Sequence, residues 1–320
     1  MPRFSIIVPL YNKAPYVVKT IESVLGQTFA DYELIIVDNG SNDGSSEIVA
    51  KFSDPRMRLQ RLEQNVGVSN ARNMGVRMSS APYITFLDAD DWWEPTFLEE
   101  IAGLTERCPD AGIYGTGYWI VKNGKKRLAP IGVEEGFSEG EINYCRVYAK
   151  TLCMPLTSIS VCMPRAVFDE SGGFPADIRL GEDFLLWVRI ALKHKVVLLN
   201  KPLSNYNQDV DATFRGTHHL HDPKYHMLWN LGELEPLEQT NSNYKQLIDN
   251  LRCYSLQNYL LEKRYRSAAR QELAKVDWNR QPVKVRGLYN TPIIFLKFRA
   301  FFLQSGSKIK QFLIGCNTCK

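Results

Sequence analysis

The chain has 320 residues, 44% of them hydrophobic and 23% charged, with a formal net charge of +4. It is too long for one minimal domain, and its composition is that of a soluble globular enzyme with a large core. No run of about 18 apolar residues occurs, so no membrane span is expected.

The first ninety residues alternate strand and helix patterns. Phe4 to Val8 predicts a buried strand, and Asn12 a helix cap with Pro15 in the first turn. Val17, Val18, Ile21, Val24 and Leu25 then form an apolar helix face. Tyr32 to Val37 predicts a second strand, followed by a turn-rich loop from Asp38 to Ser45 and a short helix through Phe52. Met57 to Leu62 predicts a third strand, Ser69 a capped helix, and Tyr83 to Leu87 a fourth strand. Such alternation implies right-handed crossovers and a mostly parallel sheet. Thr96 to Arg107 predicts a helix, and Ala111 to Val121 with Asn123-Gly124 a hairpin. Residues 125 to 150 read as a polar loop or lid. Thr157 to Met163 predicts a strand, and Arg165 to Glu170 a short helix stopped at Gly172-Gly173. Glu182 to Lys193 predicts an amphipathic helix, and Val196 to Leu199 a late strand. From about Asp222 onward the pattern is helical, with a long candidate at Tyr244 to Lys275.

The N-terminus, with one basic residue and an apolar run broken by Pro9, does not read as a signal peptide. Seven scattered cysteines read as free thiols in a reducing compartment, and Cys316-x-x-Cys319 lacks a second ligand pair. A cytoplasmic protein is therefore expected. Charge is uneven: from Trp278 to Lys320 there are eight basic residues and no acidic one, leaving 31 basic and 35 acidic before them. The aromatic residues interleaved there suggest a helix lying on the inner face of the plasma membrane, the alternative being a terminal helix docked on protein. No nucleic-acid partner is expected.

Phe86-Leu87-Asp88-Ala89-Asp90-Asp91 is the most informative stretch: an apolar strand ends in three acids within four positions. Carboxylates at one strand edge repel one another unless a cation sits among them, and oxygen ligands select Mg²⁺ or Mn²⁺. Such an ion usually shares its shell with substrate phosphates, at the carboxyl ends of parallel strands. A solvated acidic turn before a helix is the alternative. Pro9-Leu10-Tyr11-Asn12 and Asp38-Asn39 end their strands at the same edge, adding a ring and polar groups suited to a nucleotide. The glycine-rich dinucleotide fingerprint and the P-loop are absent, leaving phosphate neutralisation to the ion and Arg72. Trp92 or Trp93 could stack on a sugar, whereas Trp187, inside an amphipathic helix, reads as core. His218, His219, His221 and His226 read as a solvated or acceptor-lining loop rather than a metal site.

These motifs resemble glycosyltransferase family 2, with its GT-A fold. The resemblance rests on residues 5–12, 23–28, 36–44, 65–75 and 86–91, then Gly172-Gly173-Phe174 and Gly181 to Arg189, and spans about residues 3 to 210. It implies an α/β, Rossmann-like catalytic domain over 1–215, with a nucleotide-binding half to about 110, an acceptor-binding half over 111–215, and a helical C-terminal region over 216–320. It further implies an inverting, metal-dependent transferase of hexosyl or N-acetylhexosaminyl type. A sugar would pass from a nucleotide-sugar donor, UDP-linked by preference, to a glycan or lipid-linked acceptor in polysaccharide synthesis. By the family pattern Pro9, Tyr11, Asp38, Asn39, Arg72, Asp88 and Ala89 would line the nucleotide sugar. Asp90, with Asp88, would hold Mg²⁺ or Mn²⁺. Asp183, and next Glu182, would be the catalytic base; the alternative for this pair is plain stabilisation of a helix N-terminus. Many members carry Asp where this chain has Asn39, which weakens the UDP preference. A non-catalytic sugar-nucleotide or glycan binder on the same fold is the competing reading, and a sugar-phosphate nucleotidyltransferase is disfavoured by the missing phosphate loop.

Overall fold

In the computed structural model, residues 1–210 and 220–291 are described. The basic tail beyond Thr291, His218 and His219 lie outside them, and so does the surface-helix reading of the tail.

The first half of the sheet is built from β1 (Phe4–Leu10), α1 (Val17–Leu25), β2 (Tyr32–Asp38), α2 (Ser45–Val49), β3 (Met57–Arg61), α3 (Val68–Met78) and β4 (Tyr83–Phe86). Strands β3, β2, β1 and β4 lie side by side and parallel, as their spacing predicts. β1 is apolar on both faces because both are covered. Ile6 and Val8 join Val17, Ile21 and Val24 of α1 in one core, while Ile7 joins Ala71 and Val76 of α3 in the other. Gly75 makes the second contact possible: a Cβ there would stand 2.4 Å from Ile7 Cγ2. That close approach fixes α3, and Arg72 one turn earlier, against the sheet.

The chain continues through β5 (Trp92–Trp93), α4 (Phe97–Arg107), β6 (Ala111–Lys122), β7 (Lys125–Leu128), β8 (Glu139–Ile142), α5 (Tyr144–Thr151), β9 (Val161–Pro164), α6 (Arg165–Glu170), α7 (Glu182–Ala191) and β10 (Lys195–Asn207). The full strand order is β3-β2-β1-β4-β9-β6-β10-β5, with β7 on β6 and β8 on β10. β9 runs antiparallel to both its neighbours, so the sheet is parallel in its first half and mixed in its second. Helices α8 (Ser242–Leu261), α9 (Arg266–Ala274) and α10 (Val283–Tyr289) follow. One hydrophobic cluster runs from Ile7 through Tyr148 and Trp187 to Leu251 and Val276, joining the late helices to α5 and α7.

Several boundaries differ from the sequence reading. α1 starts at Val17, because a residue before proline is disfavoured in helix; Asn12 instead makes a left-handed turn (φ 51) and accepts from the Asn42 N–H at 2.9 Å. α3 is entered through Gly67, not capped by Ser69, whose buried hydroxyl has no hydrogen-bond partner. Residues 125–150 are not a loop or lid, since they contain β7, β8 and α5. Their strands are exposed edge segments held by backbone pairing rather than by an apolar pattern. The strand expected from Thr157 starts only at Val161, after a 3-10 turn over Ser158–Ser160. The late strand runs on for 13 residues, with register shifts around Pro202 that disguise it. The long C-terminal helix is two helices, broken where Arg266 Nε donates to the Leu260 carbonyl at 2.8 Å and closes the end of α8.

Candidate active site

Leu10 lies level with Asp38, and the Leu87 N–H donates to the Ile7 carbonyl at 3.0 Å. The ends of β1, β2 and β4 therefore share one edge, at the place where strand order reverses about β1. Tyr11, just past β1, is 38% exposed and Pro9 partly buried. Asp38 and Asn39 are buried. Asp38 accepts from the Ser41 N–H at 3.0 Å. Asn39 donates to Asn65 Oδ1 and accepts from the Val66 N–H, both at 2.9 Å, which fixes the loop entering α3. The Ala89 methyl is buried in the core.

Arg72 organises the centre. Its guanidinium donates to Asp88 Oδ1 at 2.7 Å and to Glu182 Oε1 at 3.2 Å, joining the end of β4 to the start of α7. Phe174 lies beneath it, with the guanidinium carbon 5.1 Å from the ring centroid. Asn73 grips the Phe174 backbone through both amide atoms, at 2.8 and 3.0 Å. The Gly-Gly-Phe motif thus serves as the bed of Arg72. Burial opposes the charge of Arg72, but Asp88 and Glu182 outweigh it and raise its basicity.

The acids differ in partner. Asp90 accepts from Lys13 Nζ at 2.6 Å. Burial raises the proton affinity of Asp90, Lys13 opposes the rise and Asp88 adds to it. Asp91 is buried and serves the fold by accepting from the Asn207 N–H at 2.7 Å. Burial raises it well above the usual range, helped by Asp90 and Asp88. Glu182 and Asp183 open α7 behind Gly181, which is left-handed (φ 84) and so close to Met227 that a Cβ would stand 2.4 Å from its sulfur. Burial, then Asp183, pushes Glu182 up to about 7 against the pull of Arg72. Asp183 is raised by burial against Arg72, and accepts from the Phe184 N–H at 2.7 Å. The tyrosines of α5 line its far side: the Tyr148 ring lies 6.1 Å from Phe184, and the buried Tyr144 hydroxyl has no hydrogen-bond partner. Asp183 raises both hydroxyls further, after burial.

The structure thus brings Asp88, Asp90, Glu182 and Asp183 to one place around Arg72, and adds Lys13, Tyr144 and Tyr148, which the sequence reading did not single out. The Tyr-x-x-x-Tyr spacing of α5 was the available signal. Among the tryptophans, Trp187 is core as expected; Trp93 stacks on Phe97 at 4.1 Å, and Trp92 lies under Lys19 Nζ at 3.0 Å. His226 is buried against Trp229 and Tyr259, with burial bringing it down to about 4, so it is a packing residue and not part of a solvated loop. Among the described residues no two cysteines form a disulfide.

Five carboxylates (Asp88, Asp90, Asp91, Glu182, Asp183) face two cations here, and that excess of hard oxygen donors fits a divalent ion. Among the described residues no three acidic, histidine or cysteine groups form a closed cage. The residues suit an ion leaning on one or two carboxylates and on substrate oxygens.

An acidic cluster at the carboxyl edge of a parallel α/β half-sheet is an arrangement of the GT-A class. Comparison makes this specific: residues 5–156 match the family described as glycosyl transferase family 2. An uncharacterized glycosyltransferase of Rickettsia bellii is 33% identical over 213 residues, covering 66% of this chain and 29% of that protein. The amylovoran biosynthesis glycosyltransferase AmsB of Erwinia amylovora is 28% identical over 239 residues, covering 71% of this chain and 76% of its own. The crystal structure of S. aureus TarS 1-349 in complex with UDP-GlcNAc superposes with a TM-score of 0.69 at 19% identity, over 86% of this chain and 79% of that one, which establishes the fold. The matches span only about a third, 29% to 32%, of the first three curated relatives.

Proposed function

We propose that this glycosyltransferase is inverting and metal-dependent, moving one hexosyl or N-acetylhexosaminyl unit from a UDP-sugar to a glycan or lipid-linked hydroxyl in surface polysaccharide synthesis. The observation that carries the reading is Arg72, which holds Asp88 of the donor edge and Glu182 of α7 in one bridge. On this reading donor and base would stand on either side of that bridge. Tyr11 would stack on the base, and Asp38 would meet the ribose. Asp90, with Asp88, would hold Mg²⁺ or Mn²⁺, which when bound would offset the charge growing on the departing nucleoside diphosphate. Asp183 would take the proton of the acceptor hydroxyl as that oxygen attacks the anomeric carbon. Among the described residues no ion pair ties Asp183 down, and burial raises its proton affinity, which suits a general base. Glu182, bound to Arg72, would position rather than accept. The polysaccharide context and the UDP preference draw on the relatives' names, AmsB for amylovoran biosynthesis and TarS for UDP-GlcNAc. The basic tail would hold the enzyme on the membrane where lipid-linked acceptors lie.

The test is donor turnover with and without Mn²⁺, in wild type, Asp90→Ala and Asp183→Asn. The expected result is UDP release that depends on Mn²⁺, with at least a hundredfold loss of transfer in Asp183→Asn. Full transfer by Asp183→Asn sinks the assignment of the base. Tight donor binding with no wild-type turnover would make the protein a binder instead.

A further inference from the structure

Lys13 is the group in the cleft that no motif accounts for. Its ammonium meets Asp90 Oδ2 at 2.6 Å, with only 14% of the lysine and 18% of the aspartate side chain exposed. The pairing is built rather than casual. The backbone on either side is stitched to the loop after β2: Asn12 N–H to Ser41 Oγ at 3.0 Å, Lys13 N–H to Ser45 Oγ at 2.8 Å, and Ala14 N–H to Asp43 Oδ2 at 2.9 Å. Arg72 is committed elsewhere, to Asp88 and Glu182. Lys13 is thus the cation standing where the proposed reaction needs a divalent ion.

Charge balance says what must happen next. Asp90 and Lys13 together are neutral. A divalent ion arriving alone would have to share the Asp90 oxygens with the Lys13 ammonium, and two cations so close together repel each other strongly where water is scarce. A nucleotide-sugar diphosphate brings two negative charges. If the ion moves onto Asp90 and the ammonium moves onto the diphosphate, the group is neutral again.

We propose that Lys13 is an exchangeable counter-ion: it holds Asp90 in the donor-free protein and passes to the donor's diphosphate when the divalent ion takes its place. This rests on the assignment of the ion to Asp90. It adds that ion and donor bind as coupled partners and that Lys13 carries the coupling, which is reciprocal by thermodynamic necessity.

The experiment is Mn²⁺ binding to the full chain, read by electron paramagnetic resonance and by the Mn²⁺-induced shift in melting temperature, without nucleotide and then with UDP or GDP. Wild type and Lys13→Arg should bind bare Mn²⁺ weakly, and the better of the two nucleotides should tighten it at least tenfold. Lys13→Met should bind bare Mn²⁺ at least tenfold more tightly than wild type and gain little from nucleotide. Its melting temperature should fall without metal, since a buried charge loses its partner, and recover with Mn²⁺. Lys13→Gln carries the same test should Lys13→Met fail to fold. Bare Mn²⁺ binding that is the same in wild type and the neutral variants overturns the proposal. Asp90→Ala separates the two levels: if it keeps wild-type Mn²⁺ binding, the ion is not on Asp90 and the underlying reading falls as well.

Discussion

Asp90 and Asp183 are both acids whose proton affinity burial has raised, yet the protein treats them differently. Asp90 has an ammonium at 2.6 Å, while Asp183 has a neighbouring N–H and a wall of tyrosines. The first is compensated and suited to swapping one cation for another. The second is left short of positive charge and suited to gaining a proton. Arg72 lies between them and keeps the two behaviours apart by taking up Asp88 and Glu182.

Breaking that partition at its centre should have the largest effect. Arg72→Met strands two acids in a desolvated site, and urea unfolding at pH 7 should show a loss of about 3 kcal/mol. A loss below about 1 kcal/mol would mean that the bridge contributes little to holding the cleft. The next effect is a pH dependence. Glu182 titrates near 7 when folded, against 4.5 for an ordinary glutamate. Between those values the folded chain holds a proton that the unfolded chain has released. The stabilising contribution is complete below pH 4.5 and is lost as pH rises through 7. Metal-free protein should therefore lose about 2 kcal/mol of stability over that interval, and Glu182→Gln should flatten the slope. An unchanged slope would place the titration on another acid. The smallest effect sharpens the acceptor side. Tyr144→Phe removes a buried hydroxyl with no partner, and should leave stability unchanged or raise it by about 1 kcal/mol. A clear loss of stability would show that the hydroxyl makes a bond after all. Raised stability with lowered turnover would show that the hydroxyl is kept for the reaction.

The acidic edge of the sheet was legible because its signals are local. An apolar strand that runs straight into acids can be read from six consecutive residues, and the parallel order of β1 to β4 follows from their spacing. Lys13 was not legible, since a lysine between asparagine and alanine in a polar loop looks solvated. Its burial comes from bonds to Ser41, Asp43 and Ser45, about thirty positions away. The Asn123-Gly124 turn gave away the hairpin of β6 and β7, whereas β8 escaped because backbone pairing at a sheet edge leaves no apolar period. β10 was cut short in the reading because Pro202 interrupts a strand that the sheet nevertheless accommodates as an irregularity. His226 was misread for a similar reason: its burial is set by Trp229 and Tyr259, the second of them on a distant helix.

Gly181 lies against the sulfur of Met227, and it turns the chain into the helix that begins with Glu182 and Asp183. The segment matching the family ends earlier, at residue 156. A fragment trimmed to that match would keep the edge that carries Asp88 and Asp90 and discard Glu182 and Asp183. One trimmed before Met227 would keep those two acids but lose the floor under their hinge. The acidic cluster is therefore not a portable cassette: the core that supports it draws on the late helices through Val276, with Trp278, Val285 and Tyr289 packed against it.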